Sequence, residues 1–250
     1  DLLRAIIFPG YYGKSTVNTR TIKFHIGVNI EKLNQLLTDQ IQAGLCFASC
    51  DDCGNSEKAV DNRHIAEEKA IALIKKLPTL RQTLATDVAA IYNGDPAASN
   101  FGEIISCYPA IKAMVNYRVA HELLLMDVPL IPRMLTELAH SETGIDIHPA
   151  AQIGQYFAID HGTGVVIGAT CIIGDNVKLY QGVTLGARSF PKDENGTPIK
   201  GIDRHPILEN DVVVYSNATI LGRVTIGKGS VVGANVWVTD DVEPNSRILK

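Results

Sequence analysis

Residues 144–168 read GIDIHPAAQIGQYFAIDHGTGVVIG, and the spacing of their aliphatic side chains decides the fold. Ile147, Ile153 and Ile159 fall six residues apart, and after one step of eight the beat resumes at Ile167, Ile173, Leu179 and Leu185. An α-helix turns once in 3.6 residues and cannot hold such positions on one side, while a flat strand of period two would not reset at every sixth residue. Short parallel strands joined by tight turns and stacked as a solenoid satisfy the pattern, because each coil buries its aliphatic residue against its neighbours. The two extra residues of the long step fall at Asp160-His161-Gly162-Thr163-Gly164, and a bulge inserted in a regular coil re-aims side chains. That place is the first candidate for a catalytic group.

Downstream of Leu185 the beat is interrupted by a polar excursion at 186–206, then returns at Leu208, Val214, Ile220, Ile226, Val232 and Val238. The positions four later are mostly small or branched, and Gly154, Gly168, Gly174, Gly227 and Gly233 directly follow an inward aliphatic residue, which is the hexapeptide form. Upstream the period is helical. Ile30–Leu45 carries Leu33, Leu36, Leu37 and Ile41 at helical spacing. About Glu57–Leu77 turns Ile65, Ile71, Ala72 and Ile74 inward and ends at Pro78, and a further helix reaches Tyr92, stopped by Asn93-Gly94-Asp95-Pro96. Tyr108–Met126 shows one face of Ile111, Met114, Val115, Val119 and Leu123, and a last helix covers about Arg133–Ser141. Residues 1–29 give no clear pattern. The expected class is α+β: an α-helical domain over 1–143, then a parallel β-helix of hexapeptide repeats over 144–250.

With 20% charged and 46% apolar residues and a net charge of −4, the composition is that of a globular protein. No basic stripe points to nucleic acid, no run of about 18 apolar residues points to a membrane span, and no secretory h-region opens the chain. The five cysteines, an odd number in a long chain, suit a reducing, cytoplasmic compartment. Cys50 and Cys53 have the spacing of half a zinc site with Cys46 a turn earlier, but no second pair or close His pair follows, so free thiols in a polar loop and no metal are expected.

Within the repeats, Asp146-Ile-His148-Pro, Asp160-His161-Gly-Thr-Gly, Val183-Thr-Leu-Gly186 and Arg204-His205-Pro206 occur in an order that resembles serine O-acetyltransferases, from about Ile91 to the C-terminus. The resemblance implies a left-handed, triangular β-helix with a helical cap, and transfer of acetyl from acetyl-CoA to the hydroxyl of L-serine, the first step toward cysteine. It implies a homotrimer or a dimer of trimers, L-cysteine as an inhibitor at the serine site, and O-acetylserine sulfhydrylase as a partner of a C-terminal tail that this numbered chain does not contain. It assigns Asp146 to orient the catalytic base, Asp95 and Asp160 to the ammonium of serine, and Arg204 with His205 to its carboxylate end. Gly186, Ala187, Ser216 and Ala234 match by position the residues that meet CoA.

The side-chain chemistry supports the transfer independently. A protonated hydroxyl is a poor nucleophile, so a positioned base is needed, and imidazole suits neutral pH. His161 is the candidate base, lying in the irregular coil beside glycines, and Asp146, fifteen residues earlier, is expected to stack on the adjacent coil and hold its ring. Arg204 offers a planar fork for a carboxylate. His148 reads as a surface or supporting residue about as well as a catalytic one. Competing readings are an acetyltransferase for a sugar or homoserine, a zinc hydratase on the same scaffold, and a non-catalytic assembly core.

Overall fold

In the computed structural model, which describes residues 1–13, 17–48 and 56–249, the six-residue beat becomes a three-faced solenoid of parallel strands. The first face stacks β1 (Asp146–Ile147), β4 (Val166–Ile167), β7 (Thr184–Gly186), β10 (Thr219–Leu221) and β13 (Trp237–Val238). The second stacks β2 (Gln152–Ile153), β5 (Ile172–Ile173), β8 (Ile207–Leu208) and β11 (Thr225–Ile226). The third stacks β3 (Ala158–Asp160), β6 (Lys178–Tyr180), β9 (Val213–Val214), β12 (Val231–Val232) and β14 (Arg247–Ile248). Successive coils place aliphatics in register, Ile147 beside Ile167, Ile167 beside Leu185 and Leu185 beside Ile220. These side chains are at most 2% exposed, and each contributes about 1.5–3 kcal/mol by leaving water. Ser230 is the polar residue in this inward series, and it is satisfied: its hydroxyl donates to the Glu243 carbonyl at 2.9 Å and accepts from the Ser246 N–H at 3.1 Å.

Six helices precede the solenoid among the described residues: α1 (Leu2–Ile7), α2 (Ile22–Ala48), α3 (Ser56–Gly94), α4 (Phe101–Cys107), α5 (Pro109–Leu125) and α6 (Ile131–Thr143). Pro78 does not end a helix; it lies inside α3. Losing one backbone hydrogen bond and accommodating the ring costs about 3 kcal/mol. That is outweighed by a continuous buried stripe, Ala66, Ala70, Leu73, Leu77, Leu80, Leu84, Val88 and Ile91, that spans both sides of the proline. The stripe also corrects the expected inward face, since Ile65 and Ile71 are 38% and 45% exposed while the small Ala66 and Ala70 face the helical core. Leu36 of α2 likewise points to solvent, whereas Leu33, Leu37 and Ile41 are buried. On α5 all five expected face residues are buried. The unassigned N-terminal stretch supplies α1 and the start of α2. Helix α4 falls in a stretch that the sequence left unassigned; at its start Asn100 accepts from the Glu103 N–H at 2.9 Å, while the Glu103 carboxylate takes the Ser99 N–H at 2.8 Å. Cys50 and Cys53 lie outside the described residues. No described helix is long and apolar enough to cross a membrane.

The first coil has no coil beneath it, so its outward-facing backbone groups need other partners. The helices supply them. Tyr117 donates to the Ala151 carbonyl at 2.6 Å, Arg118 to the Gly154 carbonyl at 2.8 Å, and the His121 Nδ1 meets the Pro149 carbonyl at 2.7 Å. From α3, Thr86 Oγ1 and Asp87 Oδ1 accept the Tyr156 and Phe157 N–H groups, both at 3.1 Å. Asp87 and Arg118 are joined by two hydrogen bonds of 2.7 and 2.9 Å with the carboxylate fully buried, so the end of the solenoid is clipped to the helices by one desolvated fork. This clip fixes where the C-terminus of α3, with Asp95 just beyond it, meets the third face.

Candidate active site

The edge where the third face turns into the first carries the bulge. Asp160 ends β3, and His161 follows with φ of 57°, a left-handed conformation that a non-glycine residue adopts only when its surroundings hold it there. Gly162, at φ 93°, is required: a Cβ there would lie 2.6 Å from Ile145 Cδ1. The result pushes the imidazole of His161 outward, 73% exposed, with Nε2 3.8 Å from Asp160 Oδ1. The other Asp160 oxygen is 2.9 Å from the Lys178 ammonium. The turn after α3 brings Asp95 to the same edge. Its carboxylate accepts from the Tyr108 hydroxyl at 2.7 Å and the Ala97 N–H at 2.8 Å, and these donors hold Asp95 below its ordinary range. The same bond pushes the Tyr108 phenol up to about 12.

The opposite edge of the first face, where it turns into the second, is built around Thr170. Its hydroxyl oxygen accepts the N–H of Arg204 at 3.0 Å and of His205 at 3.1 Å, which sets the end of the excursion against the coil below. The Thr170 N–H donates to His205 Nδ1 at 3.1 Å, so the ring proton is on Nε2. Burial, reinforced by the neighbouring Arg204 charge, pushes His205 down to about 4 and leaves it a neutral donor. Gly168 makes room for this ring; a Cβ at that position would overlap the imidazole. Burial also lowers His148, whose Nδ1 accepts the Ala150 N–H at 3.0 Å. Arg204 lies 6.0 Å from the centre of the Phe190 ring, and its Nε is buried without a hydrogen-bond partner among the described residues.

Asp146 lies on the first face between these edges, within 4.8 Å of donor atoms on Glu137 and His140 of α6. The expected stacking of Asp146 on His161 is not what the chain does. The bulge lengthens this coil to twenty residues, so Asp146 pairs with Val166, and no hydrogen bond or ion pair among the described residues joins Asp146 to His161. The CoA candidates divide in the same way: Gly186 and Ala187 leave the first face toward the second, whereas Ser216 and Ala234 lie on turns from the third face into the first. Thus Asp95, Asp160 and His161 meet at one edge and Arg204 and His205 at the other. Thr170, Lys178, Tyr108 and Phe190 were missed. Lys178 and Tyr180 could have been found by counting the twenty-residue coil, which sets them beside Ala158 and Asp160; for Thr170, Tyr108 and Phe190 the sequence carries no signal.

Residues 205–240 match the family model described as bacterial transferase hexapeptide, six repeats. The chain is 48% identical over 248 residues to a plasmid-borne serine acetyltransferase of Synechococcus elongatus, covering 98% of this chain and 77% of that one. Among solved structures it is similar to serine acetyltransferase 1 of Entamoeba histolytica in complex with L-cysteine, at 37% identity and a TM-score of 0.86, covering 100% of this chain and 85% of that one. It is also similar to the Neisseria gonorrhoeae serine acetyltransferase in complex with serine, at 25% identity and a TM-score of 0.66, covering 100% and 95%. With hexapeptide coils, a helical cap and this degree of identity along almost its whole length, the chain belongs to the serine acetyltransferase family.

Proposed function

We propose that this chain transfers acetyl from acetyl-CoA to L-serine in a site completed only when two copies meet, the third-to-first edge of one against the first face of the next, as in a homotrimer. The observation that carries the reading is the division of complementary groups between two edges of a single face. Asp95 and Asp160, anionic and adjacent, suit the ammonium of serine. Arg204, with a buried Nε that lacks a partner, suits its carboxylate, and the Nε2–H of His205 is a second donor beside it. His161 takes the hydroxyl proton as the serine oxygen adds to the thioester carbonyl. When the tetrahedral intermediate collapses, the C–S bond breaks and the imidazolium returns the proton to the departing CoA sulfur. Asp146 of the neighbouring copy holds the ring of His161 in the productive orientation, which accounts for its distance in sequence register from His161 in its own chain. CoA lies in the groove between copies, against Gly186 and Ala187 of one and Ser216 and Ala234 of the other. L-Cysteine, which shares the ammonium and carboxylate of serine, competes for the same groups.

Incubation with acetyl-CoA and a panel of hydroxyl acceptors, followed by thiol release, tests the reading. Release with serine, and a serine KM raised by added cysteine with kcat unchanged, is expected. Turnover with a sugar or homoserine and none with serine overturns it.

A further inference from the structure

Lys178 is held by three groups at once, none of them solvent. Its ammonium is 2.7 Å from the Gly94 carbonyl, 2.9 Å from Asp160 Oδ2 and 4.5 Å from the centre of the Tyr180 ring, and its side chain is 17% exposed. The Gly94 carbonyl is one of the acceptors that the last turn of α3 leaves unpaired, at the negative end of the helix, where a cation is favoured. Asp160 belongs to the strand that leads into His161, and Asp95 is the residue after Gly94. One ammonium therefore ties the helix end that carries Asp95 to the strand that carries Asp160. Tyr180 in turn stacks on Tyr215 with centroids 5.0 Å apart and planes at 10°, which limits where the lysine chain can go. A flexible four-carbon stem would lose its rotamer freedom here, so the arrangement needs all three partners.

We infer that Lys178 is a positioning residue that sets the spacing of Asp95 and Asp160 around the amino group of the acceptor, and so makes the enzyme selective for an amino-acid alcohol over an alcohol without an amine. The inference rests on the proposed serine site. It acts through the two carboxylates, and Lys178 itself contacts neither the hydroxyl nor the thioester.

The test is Lys178→Met in the full chain, which keeps length and apolar contact while removing the charge. The expected result is a serine KM raised about tenfold, with the acetyl-CoA KM and the kcat at saturating serine within about threefold of the parent. Discrimination between serine and 3-hydroxypropanoate, the same alcohol and carboxylate without the amine, falls by a similar factor, and Lys178→Arg recovers part of the loss. If Lys178→Met does not assemble, Lys178→Gln keeps a donor for the Gly94 carbonyl without the charge and is read in the same way. An unchanged serine KM in a variant with a lowered melting temperature, or equal losses for serine and 3-hydroxypropanoate, overturns the role. Absence of serine-dependent thiol release from the parent enzyme overturns the proposed function and this role with it, whereas parent turnover with unaltered variant kinetics overturns this role alone.

Discussion

His161 and His205 stand on the two edges of one solenoid face in opposite surroundings. His161 is strained into a left-handed turn and is mostly exposed, with an acid beside it and no backbone hydrogen bond to its ring among the described residues. His205 is 7% exposed, receives a backbone N–H on Nδ1 and is driven down to about 4 by burial and by Arg204. A base must accept a proton during turnover and give it back. A desolvated ring beside a guanidinium resists that charge. On the proposed reading, the proton-accepting ring stands with the two carboxylates for the ammonium at one edge, the neutral donor stands with Arg204 for the carboxylate at the other, and edges of two copies act on one serine. Because the edges do different chemistry, damage to each has a different kinetic signature.

The largest effect is expected for His161→Ala. Removing a general base lowers kcat by about a thousandfold or more, while the oligomer mass and the affinity for cysteine by calorimetry stay near those of the parent. Near-parental kcat removes His161 as the base. Next in size is rescue by mixing. Assayed at serine near the parental KM, His161→Ala lacks the base and Arg204→Ala has a KM far above the serine present, so each is close to inactive, but each retains the edge that the other lacks. Co-refolded at equal ratio, random trimers contain both intact edges at about a quarter of their interfaces, so the mixture regains about a quarter of parental turnover. If the mixture is no more active than its components, both edges act within one copy and the division collapses.

Substitutions at the holding edge alone give smaller, KM-centred effects. Arg204→Lys keeps the charge but loses the planar fork, and a serine KM raised roughly 10- to 50-fold with kcat much less affected is expected. A fall in kcat at unchanged KM would instead move Arg204 into the transition state. Thr170→Val removes the hydroxyl that accepts the Arg204 and His205 N–H groups, and a KM increase of about fivefold follows from the loosened turn.

The two edges also differ in how far the sequence reveals them. The solenoid was legible because its constraint is strictly periodic: a misplaced aliphatic residue would expose its own coil and hollow the next. The bulge at His161 was legible for the opposite reason, as the place where the period breaks. The pairing of Asp146 was not, because the fifteen residues to His161 fall short of a full coil, which is twenty residues here, so that Asp146 sits beside Val166 and His161 lies on the turn before that strand. The holding edge was named from Arg204 and His205 only through family likeness, and Thr170, thirty-four residues from Arg204, meets it through the excursion, whose length no local rule fixes. In the helices, propensity argued that Pro78 stops α3, but packing on both sides of it prevailed.

The smallest effect, and the one that isolates the holding edge, is in the pH dependence of stability. His205 has a folded-state value near 4 against about 6.5 in an unfolded chain. Between those values the unfolded chain binds a proton at this residue that the folded protein does not, so stability rises with pH in that window and is lost as pH falls from about 6.5 toward 4. Above pH 7 both states carry neutral imidazole and the residue contributes no slope. His205→Asn, with an amide that can still accept the Thr170 N–H, flattens the melting temperature between pH 6.5 and 4 while leaving the curve above pH 7 parallel to the parent. His148, also lowered by burial, adds a slope of the same sign in that range and is retained in the variant, so the flattening is partial. An acid limb unaltered by His205→Asn would mean that the ring carries a proton in the folded state, and the contrast between a proton-accepting edge and a neutral holding edge would lose its basis.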